Sequence, residues 1–468
     1  MSKTAKTSNP SASSINRETY LKHLLTQASA AADESFLGLK PLRERAIALV
    51  GEQAFPARRD EEWRFTDLSD MLAQPFQRAR AVKDANAELT STELSDHLAL
   101  FSEGQCLTTL NGQFVPELSA PINAAPINND GTAEGIIVAP LSQLVKRADF
   151  SDRIKPLLTA KLAQTKGNGE VFTALNTAGF SDALVIWITA DQIFDKPICL
   201  VRAASGKEVS HLRTLVVAEH HASLTLVESF WSPPSQAAAD SDNPGRFNNS
   251  VTEIWLGEGA QVNHIRLQDE SAETFHISKT AVDQSANSRY QCTAIELGAK
   301  LSRHNLEVYQ SGPQTDTHMY GMSALRDKQL SDTHSCLTLT YPHSTATQIQ
   351  KNIVDDRAHS VFNGKVYVSQ EAQLTDASQL NRNLMLSSKA RVDTKPELDI
   401  VADNVKCAHG ATVSQLQADE VFYLQSRGIA AEQAQRLLLY GFAMEIVEKI
   451  SVSALKQSLS DRLTQWAR

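Results

Sequence analysis

The chain has 468 residues, with 45 Lys and Arg against 54 Asp and Glu and a net charge of −9. This length predicts two or three structural regions around a sizeable core. The acidic balance argues against sequence-independent binding to nucleic acid or to an anionic membrane. Because no apolar run approaches the ~20 residues of a membrane helix, we expect a soluble protein whose partners are proteins or small molecules.

The N-terminal part of the chain reads as helical after a short tail. Residues 1–16 are rich in Ser and Thr and lack an apolar segment, which predicts a disordered tail rather than a secretory signal. Residues 17–165 show helix-compatible apolar spacing and predict an N-terminal helical region. Within it lies the charged run Arg-Arg-Asp-Glu-Glu-Trp-Arg-Phe-Thr-Asp-Leu, residues 58–68. We interpret this run as a solvated turn anchored by Trp63.

The middle of the chain, residues 166–412, changes to short Val-, Ile-, Leu- and Thr-rich stretches that alternate with period two. Alanines followed two residues later by a branched apolar residue are separated by 38, 39, 73 and 18 positions, close to multiples of an 18- to 19-residue unit. A unit this short must stack on its neighbours, which favours a β-solenoid of the parallel β-helix type. An antiparallel sandwich or barrel is the alternative. The polar, Pro-rich stretch near 232–248 predicts an insertion. The repeated alanines are Ala222, Ala260, Ala299, Ala372 and Ala390.

The C-terminal part, residues 413–468, returns to helical periodicity and predicts three helices. Together they have more apolar surface than three short helices can bury among themselves. Two destinations for this surface stay open: a groove on a partner protein, or the chain's own solenoid.

Motifs for common enzyme chemistry are absent from the sequence. There is no G-x-x-x-x-G-K-[ST] loop, no dinucleotide fingerprint, no G-x-S-x-G elbow and no H-E-x-x-H helix, so we expect neither ATP hydrolysis nor hydrolase activity by this chain. The histidines between His304 and His359 lack the spacing of a local metal clip and are interpreted as rim or interface residues. His220 and His221, if on a strand, would point to opposite faces and could not chelate together.

One short segment does carry ligand chemistry. In an extended strand Cys407 and His409 project on the same side, and thiolate with imidazole suits iron, zinc or copper. Two ligands make an incomplete site, so the rest would come from a partner or a cluster. The alternative is a buried apolar cysteine beside a surface histidine. The five cysteines are widely spaced and odd in number, which fits reduced thiols in the cytoplasm. They are Cys106, Cys199, Cys292, Cys336 and Cys407.

Five segments in one order along the chain resemble the SufB/SufD family. They are Arg-Asp-Glu-Glu-Trp-Arg-Phe-Thr-Asp-Leu at 59–68, Asp-Ala-Ser-Gln-Leu-Asn-Arg-Asn-Leu at 376–384, Lys-Pro-Glu-Leu at 395–398, Lys-Cys-Ala-His-Gly-Ala-Thr at 406–412 and Phe-Tyr-Leu-Gln-Ser-Arg-Gly-Ile at 422–429. His409 is followed by Gly410, as in SufD-type members, whereas SufB-type members have Glu there. The resemblance is therefore to the SufD type.

This resemblance implies a right-handed parallel β-helix between helical regions, and a non-catalytic scaffold for iron-sulfur cluster assembly in the cytoplasm. It implies that the β-helix pairs with SufB, that the C-terminal helices bind the SufC ATPase, and that ATP acts only through SufC. Cys407 and His409 would hold a nascent iron-sulfur cluster or iron at the SufB interface. Whether the assembled complex holds a flavin is left open. The alternatives are a SufB-like homodimeric scaffold and, more remotely, a secreted β-helix polysaccharide lyase or hydrolase.

Overall fold

A computed structural model describes residues 16–29, 39–78, 92–120, 135–149, 152, 154–167, 169–205, 208–233 and 245–466. Residues 1–15 of the predicted tail and 234–244 of the predicted insertion lie outside these ranges. Within them, no helix is both long enough and apolar enough to cross a bilayer.

Helices lie at both ends of the described chain. The short 3-10 helices are Glu61–Trp63 and Pro116–Leu118. The α-helices are α1 (Arg17–Ser29), α2 (Lys40–Gly51), α3 (Ser69–Leu72), α4 (Thr92–Ala99), α5 (Leu141–Leu144), α6 (Lys155–Lys161), α7 (Val171–Gly179), α8 (Ala418–Ser426), α9 (Ala431–Val447) and α10 (Ser453–Trp466).

Strands occupy most of the remaining described residues. The first seven are β1 (Gln77–Arg78), β2 (Gln105–Leu110), β3 (Gln113–Phe114), β4 (Ile136–Pro140), β5 (Ala183–Ile188), β6 (Ile193–Ala203) and β7 (Glu208–Ala218). Those that follow are β8 (Ser223–Trp231), β9 (Arg246–Leu256), β10 (Gln261–Asp269), β11 (Thr274–Gln284), β12 (Arg289–Glu296), β13 (Leu301–Gln310), β14 (Asp316–Leu325), β15 (Leu330–Leu339), β16 (Thr345–Val354), β17 (His359–Val368), β18 (Asp376–Met385), β19 (Arg391–Ile400) and β20 (Lys406–Ser414).

The strands from β5 to β20 wind into a β-solenoid of about eight turns over residues 183–414, which confirms the predicted fold class. Odd-numbered strands stack in parallel as one sheet, here the odd sheet, and even-numbered strands stack as a second, here the even sheet. The N-terminal region contributes strands of its own, because β4 joins the first strand of the odd sheet and β2 joins that of the even sheet.

The predicted repeat unit of 18 to 19 residues is wrong. Leu301 pairs with Leu330 and Leu330 with His359, so one turn takes 29 residues here. The repeated alanines are buried at corners, as a small inward residue should be, but they occupy two different corners of the turn. Their spacings therefore mix whole turns with half turns, and one spacing also contains the insertion.

One corner of each turn uses a left-handed backbone residue. Each such residue donates its backbone N–H to the corresponding corner of the next turn, as His221 does to the Glu258 carbonyl at 2.9 Å. Left-handed φ lets the chain turn sharply there, at a steric cost for residues other than glycine. At this corner, between an odd strand and the next even strand, the residues with positive φ are Asp191, His221, Gly259, Asn287, Gln314, His343 and Leu374.

The space between the two sheets is apolar near this corner and polar farther along the strands. Glu228 is buried there, and His264 bridges its carboxylate (Nε2–Oε2 3.2 Å) to the Tyr290 hydroxyl (Nδ1–O 3.0 Å). Arg266 donates to Glu296 and to Ser278 Oγ (2.7 Å). Such charges tolerate burial because each is paired and hydrogen-bonded.

Helices cover the outer face of each sheet. Helix α7 begins where Glu170 accepts hydrogen bonds from the N–H groups of Phe172 and Thr173, and all nine of its residues are buried against the odd sheet. On the even sheet, Leu439 and Ala443 of α9 join strand residues such as Ile295 in one apolar cluster. Helices α9 and α10 thus dock on the chain's own solenoid, one of the two predicted destinations.

Part of the helical tail nevertheless stays exposed. Phe422 and Tyr423 of α8 are 69% and 59% exposed, and Leu437 of α9 is 50% exposed. At least half of the surface of each of these three side chains is therefore open to solvent.

The charged run at residues 58–68, here called the strap, lies across the odd sheet. Its charged residues are exposed and Trp63 is buried, which confirms the predicted solvated turn anchored by that tryptophan. The indole of Trp63 lies 3.9 Å from the Arg303 guanidinium, measured from the ring centroid. Thr66 donates to the Asp332 carboxylate. The strap therefore fastens the N-terminal region to β13 and β15.

Candidate metal-ligand site at the open end of the solenoid

Cys407 and His409 lie on β20, the last strand of the even sheet. They pair in parallel register with Ala377 and Gln379 of β18, whose side chains are buried between the sheets. Parallel partners face the same way, so Cys407 and His409 both face the interior side of the last turn. Because β20 ends the sheet order, this face lies at the open end of the solenoid.

The two side chains differ in environment. Cys407 is half-buried and packs against the apolar interior, whereas His409 is exposed. Burial raises the pKa of the Cys407 thiol, and the nearby Asp376 carboxylate adds to the effect. In the isolated chain the sulfur is therefore protonated at neutral pH. A metal that takes it as a thiolate ligand must displace that proton.

Gln379 lies next to His409 in the register and has a free acceptor. Its Nε2 donates to Gln348 Oε1 at 2.8 Å, while its buried Oε1 has no hydrogen-bond partner among the described residues. A ligating imidazole commonly donates its second N–H to such an oxygen, which fixes the ring orientation. The sequence pattern gave no signal for this neighbour.

The pair at the open end is short of ligands. Across the described ranges, no third His, Cys, Asp or Glu joins Cys407 and His409 in a group close enough to hold one metal ion. Structural metal sites usually have four protein ligands. A metal ion bound by this pair would therefore need further ligands from outside the group.

Several histidines interpreted as rim residues are structural instead. His304 is buried and shares a hydrogen bond with Thr280 Oγ1 (3.0 Å), and His334 is buried with Nε2 3.0 Å from Asp332 Oδ1. For these two the prediction was wrong for different reasons: His304 faces the enclosed space between the sheets, whereas His334 lies on the outer face of the odd sheet, where Glu62 of the strap covers it. His359 is half-buried and lies 2.7 Å from Asp393.

The strand position considered for His220 and His221 is not the one that they occupy. Both lie in the turn between β7 and β8, not on a strand, and His221 has a φ of 54°. Their rings are 3.7 Å apart between centroids, on the same side of the chain. The left-handed turn removes the alternation that the prediction assumed.

A cavity of about 410 Å³ lies between the strap and the odd sheet. Its cations are neutralised locally: Lys279 lies 2.7 Å from Glu307, and Lys365 lies 3.2 Å from Glu397. Burial raises the pKa of the Cys336 thiol in its wall. The cavity therefore presents paired charges and a protonated thiol rather than an anion-binding surface.

Comparison with known proteins places this architecture in one family. The N-terminal region of SufBD proteins matches residues 15–200, and the SufBD core domain of SUF system FeS cluster assembly matches residues 201–442. The chain is 42% identical over 442 residues to an iron-sulfur cluster assembly SufBD family protein of Synechocystis, covering 94% of this chain and 93% of the relative. It is 32% identical over 448 residues to the chloroplastic protein ABCI7 of Arabidopsis thaliana, and this match covers 92% of this chain and 86% of the relative.

A third relative is the iron-sulfur cluster assembly protein SufD of Escherichia coli, which is 27% identical over 434 residues and is matched over 91% of this chain and 92% of its own length. The matches together cover the solenoid, the strap and the candidate ligands Cys407 and His409 of β20. The chain therefore belongs to the SufB/SufD family of scaffold proteins and has a role in iron-sulfur cluster assembly within the SUF system.

Proposed function

We propose that this chain is a SufD-type, non-catalytic scaffold subunit that holds iron or a nascent iron-sulfur cluster transiently, as substrate, together with a SufB-type partner. The observation that carries the proposal is the placement of Cys407 and His409 side by side on the inner face of the last turn. They form half of a ligand set at an open end, where a second protein can supply the other half.

The end of the solenoid is suited to pairing with another β-helix. Strands β19 and β20 are the last strands of their sheets, so each has a ladder partner on one side only. Edge strands of this length are templates for a further strand. Val413 on β20 is 49% exposed and Ile400 on β19 is 38% exposed, which adds apolar area for the partner to cover.

The exposed side chains of the C-terminal helices α8 and α9 support a second interface, with a SufC-type ATPase. Phe422, Tyr423 and Leu437 are large, apolar or aromatic and uncovered, the residue types that act as anchors in protein interfaces. Binding of ATP to such a partner would shift the scaffold only through a difference in affinity between two arrangements. The cytoplasmic location stays a prediction of the sequence.

Copurification tests the composition of the complex. A tagged form of this chain, expressed with SufB- and SufC-type subunits, is expected to recover both in a fixed ratio. Recovery of the SufC-type subunit alone, with the tagged chain as a homodimer, would instead assign the role of a SufB-like primary scaffold.

Substitution of the ligand pair tests the site. The Cys407→Ala/His409→Ala complex should assemble normally but lose the ability to mature an iron-sulfur acceptor protein in vitro. The matched control is Cys336→Ala, which removes another half-buried thiol from the same chain and should leave maturation unchanged. Full maturation by the double variant would refute the ligand role.

Substitution of the exposed Phe422 on α8 tests the proposed interface with the ATPase. Phe422→Asp should abolish recovery of the SufC-type subunit while recovery of the SufB-type subunit persists. Tyr341→Asp is the control, because Tyr341 is also an exposed aromatic residue (42%) but lies at a solenoid corner far along the chain from α8. Equal loss in both variants would show that the effect is not specific to α8.

A further inference from the structure

Two histidines and an aspartate meet at the opposite end of the solenoid from Cys407. Asp191 lies in the corner between β5 and β6, and His220 and His221 lie in the same corner one turn later, between β7 and β8. One potential ligand atom from each lies within 4.8 Å of the other two. The geometry points to a binding site for a divalent first-row transition metal ion, formed by Asp191, His220 and His221.

The backbone holds the three residues in place. The Asp191 N–H donates to the His220 carbonyl at 2.8 Å, and the His221 N–H donates to the Glu258 carbonyl of the following turn at 2.9 Å. The corner is therefore tied to the turn after it. The ligands sit on a stacked solenoid corner rather than on a free loop, which limits the entropy lost when they converge on an ion.

The left-handed backbone sets the direction of the side chains. Asp191 and His221 have φ values of 60° and 54°. Consecutive residues on a strand would point to opposite faces, but this turn places the rings of His220 and His221 3.7 Å apart between centroids. His221 Nδ1 already lies 3.2 Å from Asp191 Oδ1.

Gly259 provides the room for the His221 ring. A Cβ atom added at position 259 would lie 2.2 Å from His221 Cδ2, and its φ of +67° also favours glycine. The ring thus lies directly against the bare backbone of the next corner. This contact supports one side of the imidazole and leaves the other side to Asp191 and His220.

Two imidazoles and one carboxylate define the class of ion. Imidazole nitrogen suits Zn²⁺, Fe²⁺, Co²⁺, Ni²⁺ and Cu²⁺, whereas Mg²⁺ and Ca²⁺ prefer sites made of oxygen ligands only. Two ligand atoms bound near 2.0–2.2 Å from one ion lie at most about 4.4 Å apart, and the 3.2 Å between His221 Nδ1 and Asp191 Oδ1 already meets this. All three side chains are exposed to solvent. Three protein ligands leave at least one coordination position open to water or to a ligand from another molecule.

A metal titration of the complete chain tests this inference. The protein, stripped of metal by a chelator and dialysed, is titrated with Zn²⁺ by calorimetry and with Co²⁺ by absorption spectroscopy. Asp191→Asn and His220→Ala should each weaken binding by at least the roughly 10- to 100-fold that loss of an outer-shell partner costs. Because these residues are exposed, the variants should keep the circular dichroism spectrum of the parent.

The matched control is His343→Ala. His343 occupies the same left-handed corner position as His221 in a later turn, with a φ of 64°, but no group of potential metal ligands surrounds it among the described residues. Its removal should leave Zn²⁺ binding unchanged. The titrations are repeated in the Cys407→Ala/His409→Ala chain, so that the other proposed ligand pair cannot bind the ion. Absence of saturable Zn²⁺ binding there, binding there that survives Asp191→Asn and His220→Ala, or equal competition by Ca²⁺ would each overturn the inference. The Cys407→Ala/His409→Ala variant should still bind Zn²⁺ here, so this test is independent of the proposed scaffold role.

Discussion

Asp332 is the residue whose removal should most directly loosen the strap. Its carboxylate on β15 is 1% exposed and accepts hydrogen bonds from the Arg303 guanidinium and the Thr66 hydroxyl, and His334 Nε2 lies 3.0 Å away. These charged and hydrogen-bonded neighbours outweigh the effect of burial and hold the pKa of Asp332 well below its usual range. The carboxylate is therefore ionised in the folded chain at neutral pH.

The substitution Asp332→Asn keeps the size of the side chain and removes its charge. Arg303, which is 5% exposed, is then a buried cation without its carboxylate. Breaking a buried ion pair from one side costs about 3–5 kcal/mol. The stacking of Arg303 on Trp63 offsets little of this, since a cation–π contact contributes only about 0.5–2 kcal/mol and is already present in the parent.

Hydrogen exchange measured by mass spectrometry is the suitable assay, because it reports each segment separately. We expect faster exchange in peptides that cover residues 61–66 and β15, with exchange in β5 unchanged. The control is Asp399→Asn: this half-exposed carboxylate lies 3.5 Å from Lys365 and should contribute less than about 1 kcal/mol.

A double-mutant cycle with Arg303→Met separates the charge from the shape of the side chain. In the Asp332→Asn background the second substitution removes the unpaired cation, so it should cost less than it does alone. Unchanged exchange in Asp332→Asn, or strictly additive effects of the two substitutions, would refute the reasoning.

Three further predictions concern other parts of the chain. Burial lowers the pKa of His211 to about 4, so stability is lost as pH falls from 6.5 towards 4; at pH 5 the loss is about 2 kcal/mol. The free energy of unfolding, measured with urea at pH 7 and at pH 5, should therefore fall less between these two pH values in His211→Leu than in the parent. Lys351→Met should cost about 1–3 kcal/mol, because Lys351 pairs with Glu445 of α9, and should raise hydrogen exchange in α9 only. Cys106 and Cys199 are direct partners on β2 and β6, so the thiol oxidant diamide should join them in a disulfide, detected as a linked peptide; absence of that peptide would contradict the register.

The period-two pattern predicted strands, because it follows from local rules of strand geometry. The repeat favoured a solenoid although its length was wrong, and the family resemblance then indicated the parallel β-helix. The same rules place Cys407 and His409 on one side of β20. The length of the turn was missed because the repeated alanines occupy two corners that look identical in sequence. Whether His220 and His221 lie on a strand was left open for a related reason: a left-handed residue other than glycine gives no sequence signal as clear as glycine itself.

Contacts between residues that lie far apart in the sequence could not be predicted, for a different physical reason. The burial of Trp63 follows from its size and apolar surface, and it was predicted. The carboxylate that holds the strap lies on β15, far along the chain, and a single charged residue on a strand does not indicate which distant segment it will meet. The free acceptor of Gln379 beside His409 depends in the same way on the register of neighbouring turns.

The strap also bears on the order in which the molecule forms. Solenoid strands pair with strands a single turn further on, 29 residues in the turns around β15 and 38 across the insertion, so the turns can be added one at a time along the chain. The bond from Thr66 to Asp332 spans 266 residues, and closing a loop of that length costs about 2 kcal/mol more than closing a 29-residue turn. Local contacts form early and distant ones late. We therefore expect the solenoid to be complete through β15 before its N-terminus is fastened, so that strap closure is a late event in folding.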